Sequence, residues 1–217
     1  ETGLPNSAHF MAVAGAFDYA NAAVIRVPKD AVEGNSIEDH SRYIVDNLAS
    51  LVAPRCGTLV LFSSRRQMEG VFDELSNDLQ KQILIQGQYS NREMIRLHKE
   101  RIDQGKTSVL LGLASFAEGV DLPGDYCRHV VIAKLPFAVP DEPLQEALAE
   151  WIEDRGGNSF FDISLPVASL RLIQACGRLL RTESDSGTVT ILDKRLITKR
   201  YGAQLLNALP PFRREIG

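Results

Sequence analysis

The stretch Gln174-Ala175-Cys176-Gly177-Arg178-Leu179-Leu180-Arg181 carries the most specific chemistry in the chain. Read as a helix, Arg171, Gln174, Arg178 and Arg181 fall at i, i+3, i+7 and i+10 and share one face. Ile173, Cys176, Leu179 and Leu180 supply the apolar side. An arginine stripe with no acid is not neutralised along its own helix. The planar guanidinium fork suits phosphate. Gly177 in mid-helix costs about 1 kcal/mol relative to Ala, which points to close packing or ligand approach. The plain alternative is a solvated arginine-rich face.

Two more segments follow predicted strands. In Gly57–Gln67, the hydroxyls of Ser63 and Ser64 and the guanidinium groups of Arg65 and Arg66 gather where a helix begins. Exposed N–H groups and the helix dipole at such a point suit a phosphate. Ser64 with Gln67 also fits a capping box, which would merely start the helix. In Ala114–Gly124, Ser115, Glu118, Gly119, Asp121 and Gly124 crowd one loop at a strand's C-terminal edge. Glycine lets backbone approach a ligand, and carboxylates can fix a ribose, an arginine or a metal-bound water. The alternative here is a solvated turn. Gly105-Lys106-Thr107 imitates the end of a phosphate-cradling loop. The earlier glycine of that pattern falls on Glu100, however, and the segment precedes a strand, so it reads as a turn. Arginines fit to sense a γ-phosphate occur without a loop to cradle the phosphates, so the remainder of such a site must come from elsewhere.

Positioning these loops requires a sheet. Predicted strands are Ala23–Val27, Thr58–Phe62, Gln82–Gln86, Thr107–Gly112, His129–Ala133 and Thr188–Leu192. Predicted helices are Ile37–Leu51, Arg66–Leu75, Arg92–Gln104, Leu144–Asp154, Ala168–Arg181 and Arg195–Ala208. Continuous apolar strands separated by amphipathic helices predict an α/β fold, a parallel sheet covered by helices on both faces. Ligands of such sheets collect beyond the C-terminal ends of the strands. Residues 1–22 have no clear period and read as a connector into the domain, which occupies 23–217 with an excursion at about 136–165. A first residue of Glu1 rather than Met suggests an excerpt of something longer.

With 217 residues, 44% hydrophobic and 24% charged, the composition is that of an ordinary globular domain with a core of its own. Its longest apolar stretch, around Ser108 to Ala117, is shorter than a membrane span, and no basic-then-apolar leader opens the chain. The net charge of −4 argues against a wholesale nucleic-acid coat but leaves room for a local basic groove. Cys56, Cys127 and Cys176 are far apart, form no CxxC pair and sit in apolar patterns. They read as small buried hydrophobes, with neither a zinc site nor a disulfide framework.

Taken together, these motifs resemble those of the C-terminal RecA-like domain of superfamily 2 helicases, in the XPD/DinG group. Leu61-Phe62-Ser63-Ser64 looks like helicase motif IV, Ser115-Phe116-Ala117-Glu118-Gly119-Val120-Asp121 like motif V, and Gln174-x-x-Gly177-Arg178-x-x-Arg181 like motif VI. Lys134-Leu135-Pro136-Phe137 resembles a further signature of the group. Asp193-Lys194-Arg195 and Tyr201-Gly202 are similar to the bacterial DinG type, with the YoaA paralogues a close rival. The likeness runs from about Ala20 onward.

The resemblance implies a cytoplasmic, nucleoid-associated, ATP-driven 5′-to-3′ DNA helicase of repair and replication. Its ATP and Mg2+ would be shared with a first motor domain that holds the P-loop and, in the parent, a [4Fe–4S] cluster. By that likeness Arg181 is the arginine finger, Arg178 helps sense the γ-phosphate, and Gln174 orients a contact or the attacking water. Glu118, Gly119 and Asp121 would couple nucleotide to DNA, while Ser63, Ser64 and Ser115 would hold the single strand. The chain alone would then be inactive, and repair or replication proteins would be further partners. Two other readings are a nucleotide-sugar-binding doubly wound domain and a non-catalytic interaction module using the surface near Trp151 and Arg155–Asn158.

Overall fold

The computed structural model describes residues 17–137 and 143–217; the side chains of Glu118 and of residues 143–145 lie outside that description. Among the described residues, seven strands form one sheet in the order β3-β4-β2-β5-β6-β1-β7. They are β1 (Ala23–Val27), β2 (Gly57–Phe62), β3 (Ile83–Ile85), β4 (Ser108–Leu113), β5 (His129–Ile132), β6 (Gly187–Ile191) and β7 (Arg213–Ile216). Every pairing is parallel. All six residues of β2 are buried, as a central parallel strand requires.

Strand alternation divides the core in two. Leu59, Leu61, Leu110, Val130 and Ile191 enter the core on one face, with Leu172 and Ala175 of α8 (Leu165–Cys176) and Leu205 of α10 (Gly202–Ala208). Val60, Phe62, Val109 and Val131 face the opposite core, with Ile44 and Leu48 of α2 (Ile37–Leu51) and Met68 and Val71 of α3 (Arg65–Glu74). The helix starts follow from their caps. Ser36, Ser64 and Ser90 accept from the N–H groups of Asp39, Gln67 and Glu93, opening α2, α3 and α5 (Asn91–Asp103). Gly105, at φ +70°, turns the chain from α5 into β4, the role read for it in the sequence.

The structure differs from the sequence expectation in four places. The helix expected over 168–181 ends at Cys176, so Arg178 and Arg181 belong to the turn that follows. Gly177 caps that helix, and a Cβ there would meet only ordinary contacts at 3.4 and 3.5 Å, so it does not serve close packing. The helix expected over 195–208 is two pieces, α9 (Arg195–Thr198) and α10, and Gly202 permits the close return of the chain onto α9, since a Cβ there would lie 2.0 Å from the Leu196 carbonyl oxygen. Strand β7 has no apolar alternation to reveal it, all four of its residues being exposed; it pairs beside β1, where Arg26 binds Glu215 at 2.7 Å.

Short elements fill the remaining connections: α1 (Tyr19–Ala22), α4 (Asn77–Gln80), α6 (Ala114–Glu118) and a 3-10 turn at Gly124–Tyr126. Residues 1–16 of the expected connector lie outside the described residues. Of the stretch 136–165, the described part holds α7 (Pro143–Glu153) and a π turn at Phe160–Ser164 that runs into α8.

Candidate functional site

Two separate groupings emerge from this scaffold. The first is a seam between the loop after β4 and the turn after α8. Gln174 and Arg178 border a gap of about 10 Å3 with Arg171, Ala175, Leu61 and Ala114 and Ala117 of α6. That is room for one water at most. Arg178 donates through Nη1 to the Val120 carbonyl at 3.1 Å, while its Nε is buried and has no partner among the described residues. Arg181 donates through Nε to Asp121 Oδ1 at 2.7 Å. These two side chains are 40% and 69% exposed, so the pair contributes at most about 1 kcal/mol and can open. Gly119 is exposed, with open space where a Cβ would be.

The two walls of the seam are joined by a residue that the sequence reading passed over. Asp185, 4% exposed, accepts from the backbone N–H of Arg181 at 2.7 Å and of Thr182 at 2.8 Å. Its other oxygen accepts from the Thr182 hydroxyl at 2.7 Å and from the Gly124 N–H at 3.0 Å. Burial alone would raise the Asp185 pKa, but these four donors outweigh it and hold the carboxyl below its usual range. Because Asp185 just precedes β6 and Gly124 lies on the return from β4 to β5, this end of the seam sits toward the N-terminal ends of the strands. The rule that ligands gather at the C-terminal ends therefore does not locate Arg181, whereas the gap beside Arg178 is bordered by Leu61 and Ala114 at the C-terminal ends of β2 and β4.

The second grouping does lie at the C-terminal edge. A cleft of about 600 Å3 opens between α2 and α3, with Arg42, Ser63, Ser64, Arg66 and Lys134 in its walls. Ser63 and Ser64 are exposed. Ser115 leaves the same edge from the neighbouring strand, since Phe62 pairs with Leu113, and it too is exposed. Arg42, Arg66 and Lys134 make no ion pair among the described residues, although Glu38 and Glu74 share the cleft. Burial, then Arg195, lowers the Lys134 pKa against the opposing pull of Asp193.

Buried polar contacts fix that edge. Asp193, fully buried, accepts from the N–H of Leu135 at 3.1 Å and of Gly34 at 3.3 Å, and pairs with Arg195 at 2.6 Å. Burial pushes its pKa up, but Arg195 and the backbone donors pull it lower still. Arg195 also lies 5.6 Å from the Phe137 ring centroid, and Arg171 donates to the Pro136 carbonyl at 3.2 Å. The Lys134–Phe137 loop is thus gripped from both sides. On the α3 side, the Gln67 amide donates to His40 Nδ1 at 3.0 Å, and His40 Nε2 lies 3.1 Å from the Leu192 carbonyl. Gln67 therefore completes only half of the expected capping box: its side chain goes to His40 and Ser41 instead of back to Ser64.

The structure brings Gln174, Arg178, Arg181, Gly119 and Asp121 together, and separately places Ser63, Ser64 and Ser115 along one edge. The side chain of Glu118 lies outside the described residues. Cys127 and Cys176 are buried, with burial pushing each thiol up to about 12, whereas Cys56 is only half-buried. Sequence reasoning missed Asp185 and Arg42 as site residues; of the two guanidinium groups it noted after β2, Arg66 lines the cleft while Arg65 pairs with Glu69 at 3.6 Å. Thr182-x-x-Asp185 ahead of a strand carries a local turn signal; the tether to Gly124 leaves none.

Comparison with known proteins places the chain in a family. The family model described as helicase C-terminal domain matches residues 48–212. The chain is 44% identical over 214 residues to the ATP-dependent DNA helicase DinG of Photobacterium profundum, covering 97% of this chain and 31% of that protein. It is 39% identical over 208 residues to the protein of the same name from Escherichia coli, covering 94% and 29%. The chain thus spans about a third of the length of these relatives. An XPD helicase structure superposes with a TM-score of 0.67 at 20% identity, covering 90% of this chain and 36% of that one. An apo XPD structure superposes with a TM-score of 0.64 at 19% identity, covering 93% and 40%. The parallel sheet has the RecA-like architecture of these structures, and the chain belongs to the helicase C-terminal domain family.

Proposed function

We propose that this chain is the second motor domain of an ATP-dependent 5′-to-3′ DNA helicase that acts in repair and replication, completing an ATPase site whose other half is a first motor domain. The observation that carries the proposal is the seam: Arg178 and Arg181 meet the Val120–Asp121 loop beside open surface, with donors to spare. The buried Nε of Arg178, without a partner among the described residues, is a donor that a phosphate oxygen satisfies once the seam opens, since an unsatisfied buried N–H costs about 1–3 kcal/mol. ATP is the substrate shared across the domain interface. Arg181 exchanges Asp121 for the transferring phosphate, Arg178 senses the γ-phosphate, and Gln174 orients one of these contacts or the attacking water. Glu118, Gly119 and Asp121 relay the nucleotide state through α6 to the C-terminal edge. There Ser63, Ser64 and Ser115, with the cations of the cleft, hold the sugar–phosphate backbone of a single strand without reading sequence.

Among the described residues no His, Cys, Asp or Glu cluster could hold a metal ion, and the cysteines of this chain do not form a cluster site. Mg2+ would be held by the bound phosphates and the first domain, and the [4Fe–4S] cluster by the first domain.

The test is DNA-stimulated ATP turnover by the full-length protein, wild type against Arg181→Ala. A transition-state arginine contributes about 10³–10⁵ in rate, so a loss of that order is expected with the fold intact. Unchanged turnover would reduce the seam to a solvated surface.

The interaction-module reading retains support as an added role. Trp151, 53% exposed with Arg155 stacked 4.0 Å from its ring, neighbours the exposed Leu148 on α7, a surface suited to a repair or replication protein. Family membership removes the nucleotide-sugar alternative.

A further inference from the structure

We infer that Asp185 is the positioning residue of the arginine finger. It roots the backbone of Arg181 against the loop that follows β4 while leaving the guanidinium free to change partners. This rests on the reading of Arg181 as the finger and adds to it a residue outside the helicase motifs.

The geometry is specific. An ionised carboxylate only accepts, with about four lone-pair sites, and all four are taken: the N–H groups of Arg181, Thr182 and Gly124 and the Thr182 hydroxyl. Three of these donors belong to the turn that carries Arg181. The fourth, Gly124, lies three residues beyond Asp121, the current partner of the Arg181 side chain. Gly124 has φ +62° and open space at its Cβ, so glycine is needed there for the backbone conformation that turns its N–H toward Asp185. One buried carboxylate therefore sets where the root of Arg181 stands relative to Asp121.

The side-chain contact itself is weak. The Arg181–Asp121 pair is exposed to solvent on both sides and is readily exchanged for a phosphate. The division of labour follows: a firm grip on the backbone and a loose grip on the guanidinium. A misplacement of about 1 Å at a catalytic group can cost 10²-fold in rate. Asp185→Asn keeps the shape but turns an amide N–H2 toward backbone N–H groups, breaking the grip.

The experiment is a double-mutant cycle in the full-length protein, with kcat and KM for ATP, single-strand affinity and thermal unfolding measured for Arg181→Ala, Asp185→Asn and the double variant. Asp185→Asn is expected to lower kcat by about 10- to 100-fold, with KM for ATP and strand affinity within about twofold of wild type. In the Arg181→Ala background it is expected to remove nothing further. An equal loss in both backgrounds, or an unchanged kcat in the single variant, overturns the inference. An unaffected Arg181→Ala variant instead overturns the finger reading on which it rests. Should Asp185→Asn fail to fold, Thr182→Val, which removes only the hydroxyl donor, carries the same cycle with an expected kcat loss of about threefold or more.

Discussion

Removing Arg42 and Arg66 together should flatten the salt dependence of single-strand binding by a calculable amount. Both lie in the cleft between α2 and α3, are exposed, and have no ion-pair partner among the described residues, so Arg→Ala leaves the core untouched. Lys134 stays in place because its stem is part of the loop gripped by Asp193. Each cation that neutralises a single-strand phosphate contributes about −0.7 to the slope of log affinity against log salt. Losing two contacts should make the slope shallower by about 1.4, so between 50 and 200 mM salt the wild type should lose about sevenfold more affinity than the double variant. Fluorescence anisotropy of the full-length protein with a labelled oligo-dT, titrated at four salt concentrations, measures this directly. Ser63→Ala with Ser64→Ala is the control: neutral hydroxyls carry no counterion, so affinity should fall while the slope stays. A slope change below about 0.5 for the arginine pair would refute the assignment of the cleft to the strand.

Acid should unfold the protein through its buried imidazoles. Burial lowers the pKa of His98 and of His129 to about 4 and also lowers that of His40. With folded values below the unfolded 6.5, their contribution is complete above pH 6.5 and is lost as pH falls toward 4, by about 3 kcal/mol for each of His98 and His129. Urea unfolding of the chain across that window should follow this loss, and His98→Gln should flatten it; a stability that stays level down to pH 4.5 would contradict the burial argument. Asp193→Ala should destabilise by about 3–5 kcal/mol, because it strands the half-buried Arg195 guanidinium and three backbone N–H groups, those of Gly34, Leu135 and Arg195. A loss under about 1 kcal/mol by the same assay would mean water replaces the carboxylate.

Residue patterns alone determined the sheet and most of its cover. The runs 23–27, 58–62 and 188–192 become strands within a residue of their expected bounds, because their β-branched and apolar residues pack into the sheet, β2 being buried along its whole length. The helix 37–51 is likewise legible, with Ser36 to cap it and Ile44 and Leu48 to bury it. The motifs around Ser63, Asp121 and Arg181 stand out because hydroxyls, carboxylates and guanidinium groups gathered at strand ends are residue types suited to phosphate.

Tertiary structure decided the rest. Helical periodicity placed Arg178 and Arg181 on a continuing helix; the fold ends that helix at Gly177 and turns both arginines toward the loop after β4, a contact spanning 60 positions of sequence for Arg181 and Asp121. Strand β7 exists only because β1 offers an edge, and Asp185 acquires its fourth donor only because Gly124 arrives 61 residues away in sequence. Local sequence encodes local hydrogen bonds and burial. Which distant N–H meets a carboxylate is settled only when the sheet order brings the two connections side by side.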